Sequence, residues 1–333
     1  MTASLMLVLL AGVMNGSFAT PMKRVRGWQW ENTWLIWSFL GMVIIPLIVA
    51  TATVPGLFGA YSAAGPAALI RTAAYGMVWG VSAILFGLGV TRVGVALGFA
   101  MILGTSASLG AILPLVRLHR EQILATAGLT TLVGVGIILA GVVACARAGV
   151  LRESNRSERS AEKYFAAGIL ICVLSGIGSS FMSLALNESS QIYRAAEALG
   201  TPAAQSLNSV WPILLGGAFV VNAAYCAFQL IRVGGFARFR NASAFNAGLV
   251  LVMALLWSGS NFVYSAGARG LGPLGLILGW PIFMAAIVLT ANAWGLLSGE
   301  WKAAGTDSAV WGVAGTVLLI AGIVAVASVG RLT

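Results

Sequence analysis

Residues Trp79–Gly94 read WGVSAILFGLGVTRVG, and residues Trp257–Gly272 read WSGSNFVYSAGARGLG. They align without a gap: Trp79 falls on Trp257, Ser82 on Ser260, Gly89 on Gly267 and Gly94 on Gly272. Each stretch opens inside the third apolar run of its half of the chain. The first run is repeated too, with LLAGVMNGSF (Leu9–Phe18) echoed by LSGIGSSF (Leu174–Phe181). Five runs per half is an odd number, so the second copy must cross the bilayer in the opposite sense. The reading is an all-α polytopic membrane protein with ten transmembrane helices in two inverted five-helix repeats. Residues 1–146 form the first repeat and 165–333 the second, joined by a cytoplasmic linker at 147–164. Inverted repeats are characteristic of secondary transporters, whose substrate site lies near the bilayer midplane between the halves.

Composition agrees. Of 333 residues, 59% are apolar and 8% charged, whereas a soluble domain is about 25% charged. There are too few charges to cover a water-exposed globule of this length. At roughly 20 residues per span, apolar runs near 3–20, 34–53, 72–90, 93–116, 123–146, 165–187, 207–231, 245–267, 271–297 and 309–329 make ten. The N-terminal run carries its positive charge after the apolar core, at Lys23, Arg24 and Arg26. A signal peptide wants it before, so this reads as a retained first span.

The net charge of +10 is spread over short loops and forms no nucleic-acid patch. Of the 19 basic residues, 13 fall on the side that includes the linker. The positive-inside rule places that side in the cytoplasm and both termini outside. Cys145, Cys172 and Cys226 lie inside apolar runs without metal or pairing spacing, and read as small packing residues. No metal or other cofactor is expected.

The residues suited to a ligand are polar or aromatic and lie within spans. Asn15 and Ser17 lie in the first, Trp79 and Ser82 in the third, and Trp257, Ser260, Asn261 and Tyr264 in the eighth. Trp257, Asn261 and Tyr264 follow a four-then-three spacing that puts them on one helix face. Aromatic faces can cover the apolar surfaces of a ligand, and amides and hydroxyls can meet its polar groups. Each could equally be a packing residue or an interhelical hydrogen bond. Trp211 and Trp280 each precede a proline. Pro281 falls inside the ninth span, where it should interrupt the hydrogen-bond ladder, as broken helices do at transporter sites. Trp28, Trp30, Trp34 and Trp37 gather near one end of the second span and read as an interfacial aromatic belt. The glycine pairs Gly12/Gly16, Gly94/Gly98 and Gly275/Gly279 have GxxxG spacing, which serves close helix packing.

All nine acids fall at or beyond span ends. Glu188, directly after Asn187, is the nearest to a helix interior and is the candidate proton carrier, with a helix cap as the alternative. His119 lies beside Arg117 and Arg120 as a solvated interface residue. Arg92 and Arg269, at tight turns, read as interface anchors. An intramembrane enzyme lacks its acid pair, His cluster or nucleophile–base pair.

PMKRVRGWQWENTW (Pro21–Trp34), MSLALN (Met182–Asn187), AAEALG (Ala195–Gly200), GGAFVVN (Gly216–Asn222) and EWKAAG (Glu300–Gly305) add a further signal. Together with the Trp79 stretch, they make the chain resemble the L-rhamnose–proton symporter family of the drug/metabolite transporter superfamily, from end to end. The resemblance implies an inner-membrane, multi-pass importer of L-rhamnose or a related 6-deoxyhexose, driven by protons and working by alternating access. Its partners would be the sugar, protons and membrane lipids. Where family members carry amides, this chain has Ala83 and Leu85. Ser260 replaces a glutamine, and Leu276, Ile277 and Leu278 stand where an acid is found. The other open reading is a superfamily relative exporting or exchanging another, less polar metabolite.

Overall fold

The computed structural model describes residues 2–93, 95–154, 162–299 and 305–329. Every regular element among them is helical, and ten helices are long and apolar enough to cross a bilayer. They are α1 (Thr2–Ser17), α2 (Trp30–Thr53), α3 (Pro66–Val93), α4 (Val95–Leu118) and α5 (Thr126–Ser154). The second five are α6 (Glu162–Glu188), α7 (Trp211–Arg232), α8 (Ser243–Arg269), α9 (Gly275–Leu297) and α10 (Thr306–Val329). Each corresponds to one expected span. The helices α5 and α6 run further into the charged stretch than hydropathy indicates, because Arg, Glu and Ala sustain a helix as well in water as in lipid. Gly94, residues 155–161 of the linker, residues 300–304 of the EWKAAG motif and Arg331 lie outside the described residues.

The neighbours of the helices are compatible with the expected repeat. The first helix packs on α8 and α9, and α6, its counterpart, packs on α3 and α4. The pair α5–α10 and the pair α2–α7 are each made of counterparts. The matched glycines carry this pattern to atomic detail. A Cβ on Gly89 of α3 would stand 2.6 Å from Cys172 Sγ on α6, and one on Gly267 of α8 would stand 2.8 Å from the Ser4 carbonyl oxygen on α1. In a bilayer, helices gain little by hiding from lipid, so such close van der Waals approach supplies the association energy. The GxxxG pair of α1 does the same against α9, where a Cβ on Gly16 would meet Thr290 Cβ at 2.6 Å.

Proline acts where the sequence reading did not place it. Helix α9 runs unbroken from Gly275 to Leu297 through Pro281, so the expected interruption there is corrected. It is α2 that changes pitch, with a π-helical turn at Leu40–Ile44. Within it the Ile45 N–H reaches back to the Leu40 carbonyl. The next residue, Pro46, has no N–H to donate to Gly41 in the same register. That carbonyl is taken instead by Ser258 Oγ of α8. The exchange pins α2 against α8 one residue from Trp257. A π turn inside an α-helix is frequently found at a functional site.

Both ends of the bundle are tied on the α2–α7 side. At one end, the Asn246 side chain accepts from Arg26 N at 3.1 Å and donates to Arg26 O at 2.8 Å. Beside it, Asn32 Nδ2 donates to Gly235 O at 3.1 Å. At the other end the short helices Leu57–Ala64 and Ser190–Ala198 bury Leu57, Ala60 and Ala196 together. There Tyr61 OH donates to Ser209 O at 2.9 Å. Burial pushes this phenol above its ordinary pKa, so it keeps its donor proton across the physiological range.

Candidate functional site

Trp79 stands halfway along α3 and Trp257 halfway along α8. Their rings approach to 5.6 Å between centroids with planes 30° apart, so the matched tryptophans of the repeat meet at mid-bundle. Next to them Asn15 Nδ2 of α1 donates to Ser260 Oγ at 3.0 Å, and Ser260 Oγ donates to the Trp257 carbonyl at 2.6 Å. One turn along α8, Asn261 is 2% exposed, yet its Nδ2 has no acceptor. A buried polar group left unpaired costs about 1–3 kcal/mol. This unpartnered donor lies one helical turn from Trp257.

The other expected site residues are placed differently. Tyr264 is fully buried and donates to the Leu276 carbonyl at 3.2 Å, with its ring packed against Trp280 and Phe283. Trp211 Nε1 donates to Ser265 Oγ at 2.8 Å, and Trp280 Nε1 donates to the Ser106 carbonyl at 3.1 Å. The polar atoms of these three bond within the protein, bracing α8 on α7 and α9, and α9 on α4. Ser82 Oγ bonds back to its own helix at Val78 O, and Ser17 Oγ accepts from Trp294 Nε1 at 2.8 Å.

Of the four tryptophans read as an interfacial belt, Trp28, Trp30 and Trp34 are half-buried and Trp37 is buried. Trp30 stacks on Trp34 at 4.8 Å, Trp34 meets Trp37 at 4.2 Å, and Trp37 meets Trp257 edge-on at 4.9 Å. Trp34 Nε1 donates to Asn222 Oδ1 of α7 at 2.9 Å. A signal for this was present in the sequence. Positions 30, 34 and 37 are spaced i, i+4, i+7, which is one face of a helix, whereas a belt needs its tryptophans only at one depth.

Toward the end of the bundle where α3 and α9 begin and α4, α6 and α8 finish, a cavity of about 650 Å³ opens. Arg71, Arg117, His119, Arg194 and Arg269 line it together with a single acid, Glu188. Its far wall includes Leu276, the residue that accepts from Tyr264. The Glu188 side chain is only 9% exposed. Its Oε2 accepts from Tyr75 OH at 2.7 Å. Arg117 Nε stands 2.6 Å from Oε1 but off the angle of a hydrogen bond, so that oxygen is paired by charge alone. Tyr75 precedes Trp79 on α3 by one turn. A carboxylate in a polar cavity is thereby joined, through one phenol and one helical turn, to Trp79 and the cluster of packed indoles. Arg269 is held by Glu197 and lies over the Tyr193 ring at 4.7 Å, which makes it a brace of the cavity rim.

The profile of the L-rhamnose-proton symport protein (RhaT) family matches residues 1–330. The chain belongs to the L-rhamnose-proton symport protein family. An L-rhamnose-proton symporter of Cronobacter sakazakii is 28% identical over 305 residues, covering 89% of this chain and 88% of its own. One from Pectobacterium atrosepticum is 27% identical over 311 residues, covering 91% and 90%. One from Escherichia coli is 26% identical over 305 residues, covering 89% of each. As a member of the RhaT family the chain is a multi-pass membrane transporter and not an enzyme.

Proposed function

We propose that this RhaT-family protein imports L-rhamnose or a related 6-deoxyhexose across the inner membrane together with protons. Alternating access would move two inverted halves, residues 1–146 and 165–333, around a fixed site. The observation that carries the reading is the unpartnered Nδ2 of Asn261, next in sequence to the Ser260 that Asn15 bonds and one helical turn from Trp257, whose ring meets Trp37 and Trp79. A 6-deoxyhexose suits such a site, since its methyl and C–H faces lie on indoles and its hydroxyls take the amides. Pockets of this kind combine apolar walls with a few convergent polar groups. Trp257, Trp79, Asn261, Ser260 and Asn15 form the site in this reading, and Tyr264, Trp211 and Trp280 hold its walls.

Glu188 is the proton carrier in the same reading. It faces the cavity that the charge count puts on the outer side, where protons enter. Protonation removes its attraction to Arg117 and turns an acceptor of the Tyr75 proton into a group that can itself donate. The change reaches Trp79 through α3. The Asn246–Arg26 and Asn32–Gly235 bonds then close the cytoplasmic end while the outer cavity is open.

Two measurements test this. In proteoliposomes, adding L-rhamnose outside should raise the external pH as protons enter with it; sugar binding without any pH change overturns the symport reading. For orientation, Arg120→Cys and Arg238→Cys are introduced singly after replacement of the three native cysteines. An impermeant thiol reagent on intact cells should label the first and not the second. The reverse pattern overturns the orientation and puts the Glu188 cavity on the cytoplasmic side.

A further inference from the structure

Buried indole N–H groups in this bundle generally find an acceptor. That of Trp34 reaches Asn222 Oδ1 at 2.9 Å, that of Trp211 reaches Ser265 Oγ at 2.8 Å, and that of Trp280 reaches Ser106 O at 3.1 Å. Trp28, in the segment before α2, and Trp37, inside α2, break the pattern, and of the two only Trp37 touches Trp257. Trp37 is 1% exposed and its Nε1 has no partner. Its ring is fixed by Phe18, stacked at 5.5 Å, by Trp34 at 4.2 Å and by the edge contact with Trp257 at 4.9 Å. It therefore has little freedom to turn toward a new acceptor. The π turn that begins three residues later holds α2 against α8 at this level, through Ser258 and Gly41. The donor is held in place, buried, and in contact with Trp257.

We propose that Trp37 Nε1–H is a substrate-binding donor that reads one oxygen of the sugar, with Asn261 Nδ2 as its companion. The inference rests on the sugar reading above and deepens it. An indole N–H can only donate, so the ligand atom facing it must accept. A hydroxyl or ring oxygen meets that demand and an ammonium group does not. The donor therefore favours a ligand that brings an acceptor oxygen to this position. A site that hydrogen-bonds a substrate oxygen discriminates strongly against the analogue lacking it, because the site's own buried group is then left unpaired.

The test uses the purified full chain and titration calorimetry with L-rhamnose and its 2-, 3- and 4-deoxy derivatives. Wild type should bind one derivative about tenfold or more weakly than L-rhamnose through Trp37. Trp37→Phe should bind L-rhamnose and that derivative equally, whereas Trp34→Phe should lose stability and keep the preference. If Trp37→Phe does not fold, the sulfur isostere of tryptophan (a benzothienyl side chain introduced at position 37) keeps the ring and deletes only the N–H, and should give the same result. A folded variant that lacks the N–H yet keeps wild-type affinity and every deoxy preference overturns the inference and leaves the sugar reading intact. Wild type that binds none of these sugars overturns the sugar reading, and the inference with it.

Discussion

Glu188→Gln is expected to abolish uphill accumulation of sugar while leaving sugar exchange across the membrane measurable. The amide keeps an oxygen that can accept from Tyr75, whose hydroxyl now lies 2.7 Å from the carboxylate. It keeps the size of the side chain as well, so the cavity wall is undisturbed. What it loses is charge: the ion pair with Arg117, now at 2.6 Å, and any capacity to take up a proton and release it. An ionisable group near the interior of a transporter is costly to keep there and is a functional candidate for that reason. In proteoliposomes with an inward proton gradient, wild type should fill above the external sugar concentration. The variant should level off at equality, even though labelled sugar still exchanges with unlabelled sugar. A variant that concentrates sugar as wild type does removes Glu188 from the coupling. Arg117→Gln gives the complementary result: it leaves the carboxylate able to cycle and should lower the rate of coupled uptake without removing accumulation. A helix cap would give no such split between the two variants.

The ten spans were legible in the sequence because lipid imposes one simple demand. Every backbone group must be bonded within its own helix over some 20 apolar residues, and such runs can be counted. The pairing of Trp79 with Trp257 was legible in the gapless alignment of the two halves, and their rings meet between α3 and α8; the bond of Asn15 to Ser260 joins positions that the alignment does not match. The cavity was not legible. Arg71, Arg117, Glu188, Tyr193 and Arg269 come from four different spans and a short helix between them. Hydropathy sees each only as the polar end of an apolar run. Trp37 was misplaced for a related reason: depth along the span was read, and the face of the helix was not. Pro281 looked like the breaker and Pro46 did not, although both lie inside apolar runs. The difference lies in a neighbour. Ser258 of α8 stands ready for the carbonyl that Pro46 leaves free, and no one-dimensional pattern carries that information.

Asn261→Leu is expected to weaken sugar binding about tenfold to a hundredfold, equal to the roughly 1–3 kcal/mol of leaving a buried sugar hydroxyl without its partner. Its effect on the empty protein should have the opposite sign. In the ligand-free protein the Asn261 Nδ2 is buried with no acceptor. Replacing it by an apolar group of similar length removes that cost, so the ligand-free variant should unfold at a higher temperature than wild type. Sites kept for function are commonly held at the expense of stability in this way. Trp257→Ala should behave differently. It deletes the ring that touches both Trp37 and Trp79. Binding should fall at least as far, and stability should drop by about 3–5 kcal/mol, as for other large-to-small core substitutions. Trp257→Phe separates the two effects, since it restores much of the packing and returns only part of the sugar-facing surface. Thermal unfolding with and without L-rhamnose reads all three variants on one scale. The decisive comparison is Asn261→Leu: a higher melting temperature without sugar, and a smaller upward shift with it, places the amide on the ligand. If the variant melts below wild type and its shift with sugar is unchanged, Asn261 is a structural residue, and the sugar's hydroxyls are met elsewhere in the bundle.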